Sequence, residues 1–372
     1  MKEYYVVLHG AKKNVGDFLI KDRSMKLLKY LREDRELVDL PSWESLDNNL
    51  ELVNKSKGLI VMGGPGATSC FYPKGYLLLS DMEKLQVPFI LLGSGSYEKV
   101  YNNTFKKNFT FCEKTKRLLK MKTYLSTRDD FSNALFTENG YDSKMTGCPT
   151  FYNIECLGRK LQVSKNNKIV FTPPANMVFK RQSILIMKKL RDLFPEHKIY
   201  CSFNRGYKAD KYTTEEYAKN IEEIVQEAEK LNYIVSDTSY DLNKIDYYNE
   251  CDFHVGYRLH SHIHFISRRA PSFLVTEDSR SFGHSHTMNL KMFEGAQYNM
   301  LSAIYSLGNR YINYFINKYY SPVKANNMEM IDKLIEYIDN EYKSDFKSFI
   351  NIPNRIDELF ENNMKPYIKS LP

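Results

Sequence analysis

The sequence predicts an α/β protein of two successive domains, and three observations carry that prediction. Short apolar, β-branched runs alternate with longer helix-like stretches along most of the 372 residues. Several of these runs end in small or polar residues and hand over to a helix, as in an open parallel sheet. The length allows two separate cores, and the lysine-rich stretch 155–168, with Gly158 and Asn166-Asn167, reads as the linker between them.

In the first series, 1–157, Tyr4-Tyr5-Val6-Val7-Leu8 reads as the opening strand. Asn14-Val15-Gly16-Asp17 is its polar exit, and a helix is expected over 18–32. Gly16 permits a tight turn and Asp17 can cap that helix, so Asp17 reads as an N-cap or as a working carboxylate. Leu59-Ile60-Val61-Met62 is a buried strand running into Gly63-Gly64-Pro65-Gly66. Such a loop lets a ligand approach the backbone and offers amide donors to an anion. It is not a P-loop, because no Gly-Lys-Ser/Thr follows. Pro88-Phe89-Ile90-Leu91-Leu92 closes in Gly93-Ser94-Gly95-Ser96, so two strands share a small-residue edge. Tyr124-Leu125-Ser126-Thr127 then reaches Arg128-Asp129-Asp130 and a helix over 131–138, closed by Gly140. Arg128 is a cation at a strand-to-helix junction, with an ion pair to Asp129 or Asp130 as its structural alternative. Cys148, in Gly147-Cys148-Pro149-Thr150, reads as a packed small residue.

The second series, 168–300, starts at Lys168-Ile169-Val170-Phe171 and stops at Thr172-Pro173-Pro174. Helices are expected over 182–193, 214–231 and 242–249, with strands at 198–203 and 233–235. The richest segment follows. Phe253-His254-Val255-Gly256-Tyr257 suits a buried strand, 259–267 a helix, and Ser272-Phe273-Leu274-Val275 a further strand after Pro271. Six of the eight histidines lie here: His254, His260, His262, His264, His284 and His286. Arg258 and His260 sit where a strand hands over to a helix, the edge where open sheets bind ligands and helix N-termini favour anions. His260 and His264 share a helix face while His262 points elsewhere, as core or surface. The i, i+4 pair suits zinc, but the HExxH glutamate is missing and no metal is expected. His284-Ser285-His286 reads as a loop near the cleft, and Arg268 and Arg269 as helix-ending cations. Residues 301–372 are expected to form a helical extension, with helices over 328–342 and 356–367.

Hydrophobic content of 42% and charged content of 26% describe an ordinary soluble chain. The net charge of +8 fits anionic substrates or a weak attraction to an acidic membrane surface. Without an RNP, zinc-finger or helix-turn-helix pattern, nucleic acid is not expected as a partner. The six cysteines are scattered with no CxxC pair, so neither a zinc ribbon nor a disulfide framework is expected. With no signal-peptide pattern and no apolar run approaching a membrane span, the expected location is cytoplasmic, at most at the inner face of the cell membrane.

Several motifs agree in type and order. Asn14-Val15-Gly16-Asp17, Gly63-Gly64-Pro65-Gly66, Ser126-Thr127-Arg128-Asp129, Gly147-Cys148-Pro149 and Arg258-Leu259-His260 resemble the polysaccharide pyruvyl transferase family over about residues 5 to 300. The Arg-Leu-His element, followed by a helix, a proline and a strand, is the most specific part. The resemblance implies two Rossmann-like domains facing across a cleft, similar to GT-B glycosyltransferases, with the acceptor on the N-terminal side and the donor on the C-terminal side. It implies transfer of the enolpyruvyl group of phosphoenolpyruvate to hydroxyls of a cell-surface polysaccharide or its lipid- or nucleotide-linked precursor. A pyruvate ketal and phosphate are then the products, and no added cofactor is required. The chain departs from the family pattern at Glu277-Asp278-Ser279-Arg280, where many members carry an aspartate followed by a lysine.

Under that resemblance Arg258 and His260 belong to the phosphoenolpyruvate site. Arginine forks match phosphate and carboxylate, and Arg258 would be aided by Arg280 and by Arg128 or Lys180. A histidine titrating near neutrality suits proton delivery to the methylene carbon, which makes His260 the expected donor. Asp17 or Glu277 is the expected base for the hydroxyl proton. Asn14, Gly63, Gly64, Gly66, Arg128, Arg280 and His284 are the expected substrate contacts. Two rival readings remain: a GT-B glycosyltransferase using a nucleotide sugar, with Arg258 on the diphosphate, and a non-catalytic glycan-binding protein that keeps the fold.

Overall fold

Apolar runs that are buried on both faces set the architecture, because a parallel sheet covered by helices on either side has no wet face to alternate towards. The computed structural model describes residues 2–326 and 328–372. Its first sheet holds β1 (Glu3–His9), β2 (Arg35–Pro41), β3 (Leu59–Met62), β4 (Phe89–Ser94), β5 (Thr123–Thr127) and β6 (Lys144–Met145), in the order β2-β1-β3-β4-β5-β6. The second holds β7 (Lys168–Thr172), β8 (Lys198–Phe203), β9 (Ile234–Asp237), β10 (Phe253–Gly256), β11 (Ser272–Thr276) and β12 (Phe293–Glu294), in the order β12-β11-β10-β7-β8-β9. Every pairing within the two sheets is parallel. β13 (Ala296–Tyr298) and β14 (Val323–Ala325) make a separate antiparallel ribbon.

The first sheet is accompanied by α1 (Val15–Leu31), α2 (Leu50–Asn54), α3 (Asn103–Asn108), α4 (Glu113–Leu119) and α5 (Asp130–Thr137). The second carries α6 (Lys180–Leu193), α7 (Glu215–Lys230), α8 (Leu259–Ser267) and α9 (Ser279–Thr287). Then come α10 (Met300–Tyr305), α11 (Arg310–Tyr319), α12 (Met328–Lys343), α13 (Ile352–Leu359) and α14 (Lys365–Lys369).

Strand order reverses at β1 in one sheet and at β7 in the other. Ligands of open α/β sheets bind beyond the strand carboxyl ends at such switch points. The two halves meet there. Val15 N–H donates to the Asn204 carbonyl at 2.9 Å, and the Lys13 ammonium reaches Asp210 at 2.7 Å. On the other side Ser279 N–H donates to the Glu98 carbonyl at 2.8 Å, and Asp130 N–H to Thr287 Oγ1 at 3.0 Å.

The helical C-terminal stretch is a strap across both sheets. α12 packs on α6, with Lys189 and Asp332 paired at 2.9 Å. Further on, the Tyr367 hydroxyl donates to the Leu91 carbonyl at 2.9 Å and Asn363 Nδ2 to the Met145 carbonyl at 2.8 Å. Arg269, which was expected only to end a helix, is fully buried. It pairs with Asp357 and donates to the Cys156 carbonyl at 3.0 Å, tying α8, the linker and α13 together.

The helix expected over 242–249 is present over 242–250, wound as a 3-10 helix. Three local expectations are corrected. Asn14, not Asp17, caps α1: its Oδ1 accepts from Gly16 N–H at 3.4 Å and places Asp17 in the first turn. His284 and His286 lie on α9, nucleated by the Asp278–Ser281 capping box, and not on a loop. Cys70 and Cys112 are joined by a disulfide although 42 residues apart. Cys112 N–H donates to the Ser69 carbonyl at 2.6 Å, which brings the two Cα atoms to 5.3 Å, a spacing that allows the bridge.

Candidate active site

Strand carboxyl ends from both sheets open on one cavity of about 260 Å³, lined by Asn14, Asp17, Ile20, Gly64, Pro65, Tyr97, Arg128, Arg205, His260 and Arg280. Larger hollows exist elsewhere, such as one of about 590 Å³ between β12 and α12. That one lies away from both switch points and mixes lysines with glutamates, so the smaller cavity carries the chemistry.

From β1, Asn14 Nδ2 donates to Asp17 Oδ2 at 3.3 Å, which fixes the carboxylate at the start of α1. From β3, Gly63 and Gly64 adopt φ of +62° and +72°, a region that side chains avoid. A Cβ on Gly64 would strike the Tyr76 hydroxyl. Two of the loop's three amides are not on offer. Gly63 N–H is taken by the Leu92 carbonyl at 2.8 Å and Gly66 N–H by Ser94 Oγ at 2.8 Å. Gly63 and Gly66 therefore shape the wall, and Gly64 and Pro65 face the cavity.

Arg128, at the end of β5, has both of its readings at once. It is 5% exposed, held by Asp129 at 3.3 Å and by the Ser96 carbonyl, and still lines the cavity. Arg280 enters from α9, gripped by Asp278 at 2.6 Å. Arg205, two residues past β8, is exposed and has no hydrogen-bond or ion-pair partner among the described residues. Sequence reasoning missed Arg205 and Tyr97. Arg205 occupies the same position just beyond a strand end that singled out Arg128 and Arg258, so the signal was present.

Arg258 is the N-terminal cap residue of α8, and its N–H donates to Thr172 Oγ1 at 3.2 Å. Its side chain is not part of the cavity lining, its buried Nε has no hydrogen-bond partner among the described residues, and its charge pulls down the carboxyl groups of both Asp17 and Glu277. Glu277 does not face the cavity. Its carboxylate is buried, accepting from Ala175 N–H at 3.1 Å and Asn176 N–H at 3.3 Å, with Arg280 at 3.7 Å. It braces the β7 and β11 ends instead of meeting a substrate hydroxyl. Lys180 is also elsewhere, paired with Glu223.

The two titrating groups in the cavity invert the expected roles. Burial, reinforced by the Arg128 and Arg280 cations, pushes His260 down to about 3, so it is neutral at pH 7. Its Nε2 is buried without a partner among the described residues. Burial also pushes Asp17 up to about 6, against the pull of Asn14 and of Arg280, Arg205 and Arg258. The group poised to carry a proton near neutrality is the carboxyl and not the imidazole.

His254, His262, His264 and His284 are buried in the core. His254 bonds Thr172 Oγ1 through Nε2 at 2.8 Å and Ser272 Oγ through Nδ1 at 2.8 Å. Ser272 Oγ meets His262 Nδ1 at 2.7 Å, and His262 Nε2 meets His284 Nε2 at 2.9 Å. His284, expected to touch substrate, is thus turned away from the cavity into this chain, with Phe151 against its ring at 5.0 Å. His264 is buried on α8 beside Tyr248, and His286 is exposed, 3.9 Å from Asp130. Among the described residues no three His, Cys, Asp or Glu side chains gather as a metal site.

These features define a two-domain α/β protein of the GT-B-like kind, with two six-stranded parallel sheets facing over an arginine-lined cavity. The chain belongs to the polysaccharide pyruvyl transferase family, whose model matches residues 14–279, from the cap of α1 to the start of α9, and it is a transferase. No curated protein matches the chain. Among solved structures it is similar to the UDP-GlcNAc 2-epimerase from Neisseria meningitidis, at 11% identity and a TM-score of 0.47, over 92% of this chain and 100% of that one. The epimerase from Methanocaldococcus jannaschii matches at 10% identity and 0.44, over 91% and 100%. The wall teichoic acid polymerase TagF matches at 13% and 0.44, over 99% and 87%.

Proposed function

We propose that the chain transfers the enolpyruvyl group of phosphoenolpyruvate to two hydroxyls of a surface polysaccharide or its lipid-linked precursor. The observation that carries this reading is the convergence of Arg128, Arg205 and Arg280 on a cavity that also holds His260 and Asp17. Phosphoenolpyruvate brings a phosphate and a carboxylate, and arginine forks match both geometries. The cavity is smaller than the roughly 300–1,000 Å³ of sites for drug-sized ligands, which favours a small, multiply charged donor over a whole nucleotide sugar.

In this scheme Asp17 in its acid form protonates the methylene carbon, which becomes the methyl group. Carbon 2 gains oxocarbenium character and bonds the first sugar oxygen. Neutral His260 accepts that hydroxyl's hydrogen bond at its unpartnered Nε2 and orients it, and the proton passes to the Asp17 carboxylate left by the first step, which restores the acid. The second hydroxyl oxygen then bonds carbon 2 as the phosphate bond breaks, and phosphate leaves with the second proton. Arg128, Arg205 and Arg280 hold the donor's anionic groups throughout. Glu277 and Arg258 position Arg280 and α8.

Purified protein given phosphoenolpyruvate and candidate acceptor glycans should release phosphate in proportion to ketal formed. Turnover that requires a nucleotide sugar instead would overturn the reading.

A further inference from the structure

The helix α11 is amphipathic in the wrong sense for a surface helix. Asn313 and Ile316 face inward, with Asn313 Nδ2 donating to the Tyr305 carbonyl at 3.0 Å. Tyr311, Phe315 and Tyr319, one face at i, i+4 and i+8, point to solvent at 72%, 52% and 59% exposure. Ile304 on α10 and Leu307 just after it are exposed as well. Exposed apolar side chains gathered on one helix face mark an interaction site.

Charge selects the partner. Between Glu294 and Glu329 the sequence has no acidic residue, while Arg310, Lys318 and Lys324 lie within it. Lys106 and Lys107 sit on the adjoining α3, whose Asn108 Nδ2 donates to the Ser306 carbonyl at 3.3 Å. The cations stand over the rings, Lys318 at 5.0 Å from the Tyr319 centroid and Arg310 at 5.0 Å from that of Tyr311. A two-fold contact between copies through this face would set these cations against their own equivalents. An anionic bilayer suits both components, since aromatic rings settle at the headgroup level and basic side chains meet the lipid charge. No helix among the described residues is long and apolar enough to cross a membrane, so the contact is peripheral.

The same helix pair reaches the reaction centre. Tyr305, Arg310 and Tyr314 line a groove of about 230 Å³ together with Lys74 and Tyr97, and Tyr97 also lines the arginine cavity. We infer that α10–α11 is a docking surface for an anionic lipid bilayer, with Tyr311, Phe315 and Tyr319 entering the interface and Arg310 and Lys318 on the headgroups. A glycan held by a lipid in that bilayer would be presented along the groove towards Tyr97. The docking surface goes beyond pyruvyl transfer and holds whichever donor the enzyme uses.

The test is co-sedimentation of the full chain with vesicles of phosphatidylcholine alone and of an equal mixture with phosphatidylglycerol. The wild type should bind the mixed vesicles, release at high salt, and leave the neutral ones unbound. Tyr311→Ser with Phe315→Ser, and separately Arg310→Glu with Lys318→Glu, should each weaken binding about tenfold or more with unchanged circular dichroism and thermal midpoint. Turnover of a short, lipid-free acceptor should be the same in the Tyr311→Ser, Phe315→Ser protein, which separates this surface from the chemistry. Absence of binding to the anionic vesicles, or full binding by both variants, overturns the proposal. So does a stable dimer that Phe315→Ser dissociates, because the patch is then a contact between copies.

Discussion

Gly16 and His260 touch across the two domains: a Cβ at residue 16 would lie 2.7 Å from the imidazole Nδ1 and 2.9 Å from the histidine Cβ. Gly16 is helical and its conformation is open to any residue. Space alone requires glycine here. The imidazole has no easy retreat, since every residue of α8 is buried. Gly16→Ala should therefore displace the ring that faces the donor. We expect kcat/KM to fall at least tenfold, with a stability loss of about 1–3 kcal/mol from overpacking. Steady-state kinetics and a urea melt check this; a destabilised variant with full kcat/KM would show that the contact holds the domains together without setting the site.

Asp17 and His260 predict a pH profile opposite to that of a histidine acid. For the free enzyme, kcat/KM reports the groups before substrate binds. Asp17, pushed up to about 6, is protonated below that pH and loses its proton above it. As the proton donor it makes kcat/KM fall about tenfold per pH unit above 6. His260, held down to about 3, remains neutral across this range and adds no limb. Asp17→Asn should lower the rate by about 10²–10⁴ and remove the limb near pH 6. A limb that rises through pH 6 would instead make Asp17 the base.

Arg205 and Arg269 separate binding from folding. Arg205 is exposed at the cavity, whereas Arg269 is buried on Asp357. Removing a charged hydrogen bond to a ligand costs about 1.5–3 kcal/mol. Arg205→Ala should thus raise KM for phosphoenolpyruvate by about ten- to a hundredfold with an unchanged thermal midpoint. Arg269→Ala should lower the midpoint because Asp357 loses its partner, with KM of the surviving folded protein unaltered. The reverse pattern would move the anion site away from Arg205.

Much of this was legible in the sequence because strand-to-helix junctions are local signals. Asn14, Arg128 and His260 were marked by the residues immediately before them, and the structure brings all three to one cavity. Orientation was not legible. Glu277 sits at an equally good strand end, but two backbone amides of the β7 loop turn it inward. Arg205 follows its strand by two residues, and nothing local says that its loop faces β1. The Cys70–Cys112 bridge depends on a contact across 42 residues that no spacing rule encodes. The histidines misled most, since helical spacing could split His260 from His262 without revealing that β11 supplies the partner of His262.

That partner makes the core acid-sensitive. In the chain Thr172–His254–Ser272–His262–His284, His254 and His262 bond through both ring nitrogens, while His284 joins through Nε2 and keeps its Nδ1 buried without a partner among the described residues, an arrangement built for neutral imidazoles. A second proton on whichever ring accepts at the His262–His284 contact would put two N–H groups face to face. Burial holds His262 and His264 down to about 3 and His254 and His284 well below their ordinary value. An unfolded chain binds protons at these histidines below about 6.5, and the folded chain does not. Stability is therefore fully present above about 6.5 and is lost as pH falls from there, at up to about 1.4 kcal/mol per pH unit for each histidine. Urea midpoints between pH 7.5 and 5.5 should decline steeply on the acid side. In His284→Phe the slope of stability against pH should lessen by about one proton, even if the variant is less stable at pH 7.5. A stability curve flat from 7.5 to 5.5 would mean that the chain accepts protons in the folded state.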